Sequence, residues 1–526
     1  MIGFGLNNLR RLVVDQPVDI RPITVLVGRN SSGKSTFLRT FPLIRQSITT
    51  RTSSPVLWYG DLVDFGDFEG AVFNNDTSLS VMLTFCLDKT SRNAVYFFDG
   101  EISSEAVQYH DVSQTVSISK KDGGTRLSAI RLSEGGNGVV FEMVLGEDRS
   151  ITSILVDGVD LSKDLGGYRL VAMDASLFPD LIFFPPRPEG NTKPSAANLA
   201  SRRGTQFIDD ALVRLIKPHI DKRTGQEKLR KLIRSFRSLS KINETSLLTA
   251  ACENDIQTAR KFFQKVSEGG HKEFYTRFRL FLLLAQLPRI LNAMNQSLKE
   301  MLGSVLYIGP ARARSDRYYR YQDLSVSEID PDGKNFAMFL SSLPEKQMLS
   351  FSSWVKSLFG YGVKVNTRSG HITISLEYEN KSVNIVDTGY GISQILPVLG
   401  QIWWADNGTR RGARRQPNKA PLLAIEQPEL HLHPAHQALL ADAFVSGFKS
   451  NGASNSEAGT HFIIETHSEA LINRLGALVS EQKLSKEDVQ ILVFESRDSK
   501  TVVNVANFDD DGQLSGWPFG FFLPDV

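Results

Sequence analysis

The chain has 526 residues, of which 41% are hydrophobic and 22% charged, and a formal net charge of +2. That length exceeds one ordinary core and calls for two or three lobes, while the near-neutral balance excludes a global field for nucleic acid and leaves only local patches for such binding. Cys86 and Cys252 stand outside any metal-ligand spacing and read as reduced, packed thiols of a cytoplasmic protein; no secretion signal precedes the first strand, and the longest apolar run, Leu280 to Leu287, is too short to cross a bilayer, so no membrane partner is expected.

The first informative element is Ile23-Thr-Val-Leu-Val-Gly28-Arg-Asn30-Ser31-Ser-Gly33-Lys34-Ser35-Thr36. A β-branched run leads into a Gly-x-x-x-x-Gly-Lys-Ser loop, and a helical run follows, the context that makes this motif a phosphate-binding loop. Gly28 and Gly33 let successive N–H groups converge on phosphates, with Asn30 and Ser31 in the loop between them, and the helix N-terminus adds its positive dipole end around Thr36. Lys34 is expected to reach the β- and γ-phosphates of ATP, and the hydroxyl of Ser35 to ligate Mg²⁺.

Residues up to about 175 then read mainly as strands, at Ser78 to Phe85, Ala94 to Phe98, Thr115 to Ser119 and Val139 to Val144. Residues 183 to 204, rich in proline, read as an irregular crossing segment. From Gln206 to about Leu302 the period is helical, with Leu229, Leu232, Ile233 and Phe236 on one apolar stripe and a basic face between Lys228 and Arg237. A longer helix from about Glu273 to Met301 is expected to bend at Pro288. Strands return at Val305 to Ile308, Val363 to Val365 and His371 to Tyr378. The organisation expected is an N-terminal lobe over 1–180, a mostly helical insertion over 181–304 and a C-terminal lobe over 305–526.

The C-terminal lobe carries three further motifs. Asp387-Thr-Gly389-Tyr-Gly391-Ile-Ser393-Gln394 reads as a Gly/Ser turn opening a helix from Ile395 to Trp404, a second phosphate-facing N-terminus. Leu422 to Ile425 is a buried strand ending in Glu426-Gln427-Pro428-Glu429-Leu-His431-Leu-His433-Pro, almost 400 residues after Lys34. His461 to Glu465 is a strand ending in Thr466-His467-Ser468, suited to placing an imidazole near a γ-phosphate. Two phosphate-facing ends on one chain suggest a nucleotide sandwiched between subunits.

The order of these elements resembles the ABC/SMC-type ATPases, with a Walker A loop, signature motif, Walker B strand and switch histidine. More closely, Glu426-Gln-Pro-Glu-Leu-His-Leu-His-Pro, Asp387-Thr-Gly-Tyr-Gly-Ile-Ser-Gln-Ile-Leu-Pro and the tail from Gly512 to Phe522 resemble the AAA-type ATPases of bacterial anti-phage defence. These include the overcoming-lysogenisation-defect-like proteins and the PtuA-like ATPase subunits of Septu systems, which also occur with retrons. The resemblance implies an α/β ABC/SMC-type P-loop ATPase head with a β-rich N-terminal lobe and an inserted helical domain. It implies ATP and Mg²⁺ as cofactors, Mg²⁺ held by Ser35 and Glu426, and a homodimer or higher oligomer whose ATP-sandwiched heads meet through Gly389, Gly391 and Ser393. It further implies an HNH-type, PtuB-like nuclease partner and, in retron systems, a reverse transcriptase with its msDNA.

One departure bears on hydrolysis. Sites of this type usually end the Walker B strand in Asp-Glu, whereas this chain has Glu426 and Gln427. An amide orients water but cannot act as a general base. Glu429 either supplies the carboxylate or starts the following helix as a favourable N-terminal charge. His431 and His433 lack a third ligand at a closed spacing and read as packing or dimer-contact residues. The basic loop from Arg410 to Lys419 and the basic face from Lys228 to Arg237 read as solvated surfaces or as grips for a nucleic-acid backbone or an acidic partner, and the segment from Gly309 to Tyr319, with Arg312 and Arg314, as structural or lobe-joining first and as a nucleotide or partner contact second.

The leading expectation is a slow ATPase switch that controls a separate nuclease. The alternatives are a DNA-repair or SMC-like DNA-binding ATPase, which ordinarily shows heptad arms or a zinc hook, and a self-sufficient nuclease, for which the roughly 60 residues after His467 are few. Lys34→Ala removes the charge aimed at the phosphates and is expected to abolish ATP binding in calorimetry. Wild-type affinity in that variant would contradict the assignment.

Overall fold

The computed structural model describes residues 3–14, 16–87, 112–121, 123–134, 139–165, 168–184, 206–237, 239, 242–323, 326, 328–379, 381–407, 421–449, 459–497 and 500–516. The expected strand at Ala94 to Phe98, most of the 183–204 segment, the basic loop from Arg410 to Lys419 and the tail beyond Gly516 lie outside these residues. The chain divides into two compact units, each closed by distant stretches of sequence.

One unit comprises residues 1–5, 51–56 and 77–300. Its strands Val81–Leu87, Val112–Lys121, Gly124–Glu134, Val140–Leu145 and Ile151–Val156 form an antiparallel meander. Val112–Lys121 alternates buried and half-buried residues along most of its length, as expected of a sheet with one face on a core. Its helices are Gln206–Ile216, Gln226–Arg237, Glu244–Cys252, Gln257–Ser267 and Lys272–Gly303. The predicted stripe of Leu229, Leu232, Ile233 and Phe236 is buried, and the long helix runs on through Pro288 as one element. Buried Gln114 donates to Asn295 Oδ1 at 2.8 Å, and Asn295 donates to the Pro179 carbonyl at 2.7 Å, so two interior amides tie that helix to the sheet. Cys252 is exposed instead of packed. None of the described helices is long and apolar enough to cross a membrane.

The other unit comprises residues 6–50, 57–76 and 301–526. Ile23–Gly28 lies at the centre of its sheet, paired in parallel with Val489–Arg497 on one side and His461–Glu465 on the other. Leu422–Glu426 follows His461–Glu465 in parallel, and Leu306–Ile308 completes that side. Every residue of Ile23–Gly28 and Leu422–Glu426 is buried, the near-continuous apolar reading of a parallel strand covered on both faces. Helices Lys34–Thr49, Tyr390–Asn407, Pro434–Lys449 and Glu469–Ser480 belong to this unit, with a small antiparallel sheet of Gly362–Arg368, His371–Tyr378 and Lys381–Asn384.

Two details differ from the sequence reading. The helix expected from Ile395 begins at Tyr390, one residue after Gly389 (φ 96°), so Gly391 and Ser393 lie inside its first turn. The helix after the acidic strand begins at Pro434, leaving Glu429 in a turn ahead of it. Further along, Gly512 (φ 75°) has no room for a side chain, because a Cβ there would lie 2.1 Å from the Gly476 carbonyl oxygen. That close approach seats the Gly512 turn on the helix that follows His467.

Candidate functional site

Parallel strands place their carboxyl ends side by side, and in open α/β sheets ligands bind at that edge. Here the edge gathers Gly28, Glu465 and Glu426, since Leu26 pairs with Glu465 and Glu465 with Glu426. The loop after Gly28 is shaped by its glycines. A Cβ on Gly28 would lie 2.6 Å from both the Phe494 carbonyl oxygen and Ser32 Oγ, and one on Gly33 (φ 97°) would press on Leu12 at 2.9 Å. Asn30 and Ser31 are exposed at the loop's crest, Ser31 with φ 60°, while Thr36 is buried in the first turn of the following helix.

Lys34 is 3% exposed, and its ammonium donates to the carbonyls of Gly28 and Arg29, each at 2.9 Å. It lies 4.0 Å from Glu465 Oε1. Burial lowers its pKa, opposed by the charges of Glu465 and Glu429. Ser35 Oγ donates to Glu465 Oε1 at 2.9 Å. Both residues therefore converge on a carboxylate that the sequence analysis quoted without assigning a role.

Glu426 is engaged differently. Arg39, one helical turn beyond Ser35, grips it with two parallel bonds of 2.7 and 2.8 Å, and the Tyr307 hydroxyl donates to it at 2.7 Å. Burial and the neighbouring Glu426 raise the Tyr307 pKa, and the Glu426 bond raises that of Arg39. Arg312 donates to the carbonyls of Glu426 and Gln427 at 2.9 and 3.2 Å, and burial pushes its pKa down to about 10. Arg312 thus belongs to this group of contacts, where its sequence put a lobe-joining role first and a contact role second.

The turn after Glu426 is held from both sides. Gln427 sits in the left-handed region at φ 42°, and its N–H donates to the Glu465 carbonyl at 2.8 Å. A left-handed non-glycine residue costs on the order of 1–3 kcal/mol and persists where its surroundings fix it. Glu429 is 7% exposed and accepts the His467 N–H at 2.7 Å. Its position in the turn removes the reading of a helix N-terminal charge, and burial raises its pKa. His467 is exposed, and partial burial followed by the charge of Lys34 lowers its pKa, which favours the neutral imidazole at pH 7.

The motif from Gly389 to Ser393 lies apart from these bonds. Ser393 is 5% exposed and donates to the Tyr390 carbonyl at 2.7 Å, so Gly389 and Tyr390 are what the helix N-terminus presents outward. Gly391 approaches so closely that a Cβ would lie 2.3 Å from the His431 carbonyl oxygen, and Tyr390 packs edge-on against the His431 ring. His433 accepts the Ala435 N–H through Nδ1 at 3.3 Å, at the start of its helix. Among the described residues no group of three or more His, Cys, Asp or Glu side chains is placed to hold a metal.

ATP and Mg²⁺ fit what remains unsatisfied. Ser32 Oγ, Glu465 Oε2, Glu429 Oε2 and two guanidinium nitrogens of Arg312 are buried without hydrogen-bond partners. Lys34 and the loop amides suit phosphates, and Ser35 with a neighbouring carboxylate suits a hard cation. Bound there, Mg²⁺ would neutralise charge developing on the phosphates.

Residues 4–472 match the AAA ATPase domain family. The chain belongs to that family. Residues 484–522 of this AAA ATPase match a second family, described as a protein of unknown function (DUF3696). No curated protein matches the sequence. Solved structures to which the ATPase is similar include an Smc head bound to the C-winged helix domain of ScpA, at 10% identity over 96% of this chain and 98% of that one, with a TM-score of 0.33. Others are the SMC head domain from Thermotoga maritima (9% identity, 95% and 97% covered, TM-score 0.28) and the recombination mediator protein RecF-ATPrS of the RecFOR pathway (12%, 95% and 97%, TM-score 0.25).

Glu465, Arg39 and Tyr307 join the site without having been expected from the sequence. The signals were present: a charge closing an otherwise apolar strand, and an arginine four residues after Ser35 on the same helix face. Burial, the first cause, pushes the Glu465 carboxyl from 4.5 up to about 6. Between those values the folded protein binds more protons than the unfolded chain, so this group's contribution to stability is full below pH 4.5 and is lost as pH rises through about 6. Glu465→Gln, which keeps an acceptor for Ser35 but carries no charge, is therefore expected to stabilise the ligand-free protein at about pH 8 by roughly 1–2 kcal/mol, with the gain shrinking towards about pH 5. Urea-unfolding midpoints at the two pH values check this, and equal midpoint changes at both would contradict it.

Proposed function

We propose that this AAA ATPase is a slowly hydrolysing, ATP·Mg²⁺-binding switch whose heads pair around nucleotide and which controls a separate nuclease in an anti-phage defence complex. One observation carries the switch reading. A continuous chain of contacts runs from Ser35 to the Glu465 carboxylate, from the Glu465 carbonyl to Gln427, and from Glu429 in the same turn to the backbone of His467. A phosphate or cation that changes the partners of Ser35 acts on the water-positioning turn and the switch histidine together. The packing of Gly391 and Tyr390 on His431 extends that turn to the exposed helix N-terminus proposed to meet a partner's nucleotide. The defence setting and the nuclease partner are supported by the motif resemblance at Glu426 to Pro434 and Asp387 to Pro397.

Slow hydrolysis follows from the chemistry of the turn. Gln427 orients water without accepting its proton. Glu426 has both oxygens engaged by Arg39 and Tyr307, whereas Glu429 keeps one oxygen without a partner. Of these two carboxylates Glu429 is therefore the one available as base, and a raised pKa suits that task. Glu429→Gln is expected to lower turnover by about 10²–10⁴-fold, and Gln427→Ala by less. Loss of turnover in Gln427→Ala with Glu429→Gln intact would reverse the assignment.

Pairing and the defence role have their own test. Because Ser393 is buried, the interface variant of choice is Tyr390→Arg, at a residue 44% exposed. Light scattering is expected to show an ATP-dependent dimer in the wild type that Lys34→Ala and Tyr390→Arg both lose. Cells carrying this gene with its neighbours are expected to lose phage protection with either variant. A dimer indifferent to ATP, or protection that survives Lys34→Ala, would contradict the proposal.

A further inference from the structure

Glu426 and Glu465 are register partners at the ends of adjacent parallel strands, yet they are not equivalent. Glu426 is 2% exposed and closed on every side: one oxygen accepts from Arg39 Nε and Tyr307, the other from Arg39 Nη2. The Arg39 pair is bidentate, the strongest geometry available to these groups. Drawing Glu426 towards a cation would break that pair and take from a buried carboxylate the partners that satisfy it.

Glu465 presents the opposite arrangement. It is 3% exposed, its Oε1 accepts from Ser35, and its Oε2 has no hydrogen-bond partner. A carboxylate oxygen left unpaired at that depth is costly unless a ligand satisfies it. The ammonium of Lys34 at 4.0 Å offsets part of the charge without occupying Oε2. Hard divalent cations select carboxylate and hydroxyl oxygens, and Mg²⁺ is commonly held by one or two carboxylates plus substrate phosphates while keeping several waters.

We propose that Glu465, together with Ser35, is the carboxylate that holds the divalent cation accompanying the nucleotide, and that Glu426 is a closed structural clamp between Arg39 and Tyr307. The proposal rests on the ATP-binding reading above and replaces Glu426 in the metal role expected from sequence. It also gives the cation a direct route to the turn. The residue that holds it through its side chain holds the Gln427 N–H through its own carbonyl.

The test uses the full chain and Mn²⁺ as the probe. Calorimetry in EDTA first measures binding of a non-hydrolysable ATP analogue, and electron paramagnetic resonance then measures Mn²⁺ affinity in the protein–analogue complex. Glu465→Gln still accepts the Ser35 hydroxyl, and its own binding of the analogue in EDTA is the reference against which its Mn²⁺ affinity is read. Its Mn²⁺ affinity is expected to fall by at least about tenfold, as is that of Ser35→Ala, while Glu426→Gln keeps wild-type Mn²⁺ affinity. Wild-type Mn²⁺ affinity in Glu465→Gln overturns the proposal whether or not Glu426→Gln folds, and so does a loss confined to Glu426→Gln. Failure of the wild type to bind the analogue with or without metal overturns the ATP reading itself, an outcome distinct from either.

Discussion

A carboxylate buried at the end of a parallel strand must find compensation, and most of the site can be understood from how Glu465 does so. Its position is fixed by sheet order: His461–Glu465 lies between the strand that feeds the glycine loop and the strand that ends in Glu426. Compensation comes from the loop side, through the hydroxyl of Ser35 and the nearby ammonium of Lys34. The same residue's carbonyl holds Gln427 in its left-handed conformation, so satisfying the carboxylate and shaping the turn after Glu426 are one structural event.

Around this point the protein separates rigid parts from responsive ones. Arg39, Glu426 and Tyr307 form a closed set, and Arg312 pins the carbonyls of Glu426 and Gln427. These contacts hold the end of the strand in place. By contrast, Glu429 and Glu465 each retain a buried carboxylate oxygen without a partner. Such atoms raise the energy of the ligand-free protein and give a bound nucleotide and cation something to satisfy. In the proposed switch, binding energy gained there would reorder the turn, the histidine after it and the helix that packs on His431.

The parts legible in the sequence are those whose chemistry is local. Gly28 to Ser35 carries its meaning in its own spacing, and the apolar runs before Glu426 and Glu465 become the strands they resemble. The stripe from Leu229 to Phe236 likewise buries the face that its period selects. The role of Glu465 was not legible, because it depends on which strand lies beside which, and its partner Ser35 is 430 residues away. For the same reason the sequence could mark Arg39 by its place on the helix face without showing that it and Tyr307 meet at Glu426. The helix at Tyr390 begins earlier than its glycines suggested, since Gly391 answers to the close approach of His431 and not to a turn. That shift buries Ser393, which a reading of the turn alone would leave outside.

The most direct measurement is an experimental structure with Mg²⁺ and a non-hydrolysable ATP analogue. The account predicts phosphates against Lys34 and the loop amides, the cation on Ser35 and Glu465, and the Arg39–Glu426–Tyr307 set unchanged from its present contacts. A cation on Glu426 with Arg39 released and Glu465 still free at Oε2, or a nucleotide bound away from Lys34, would contradict it.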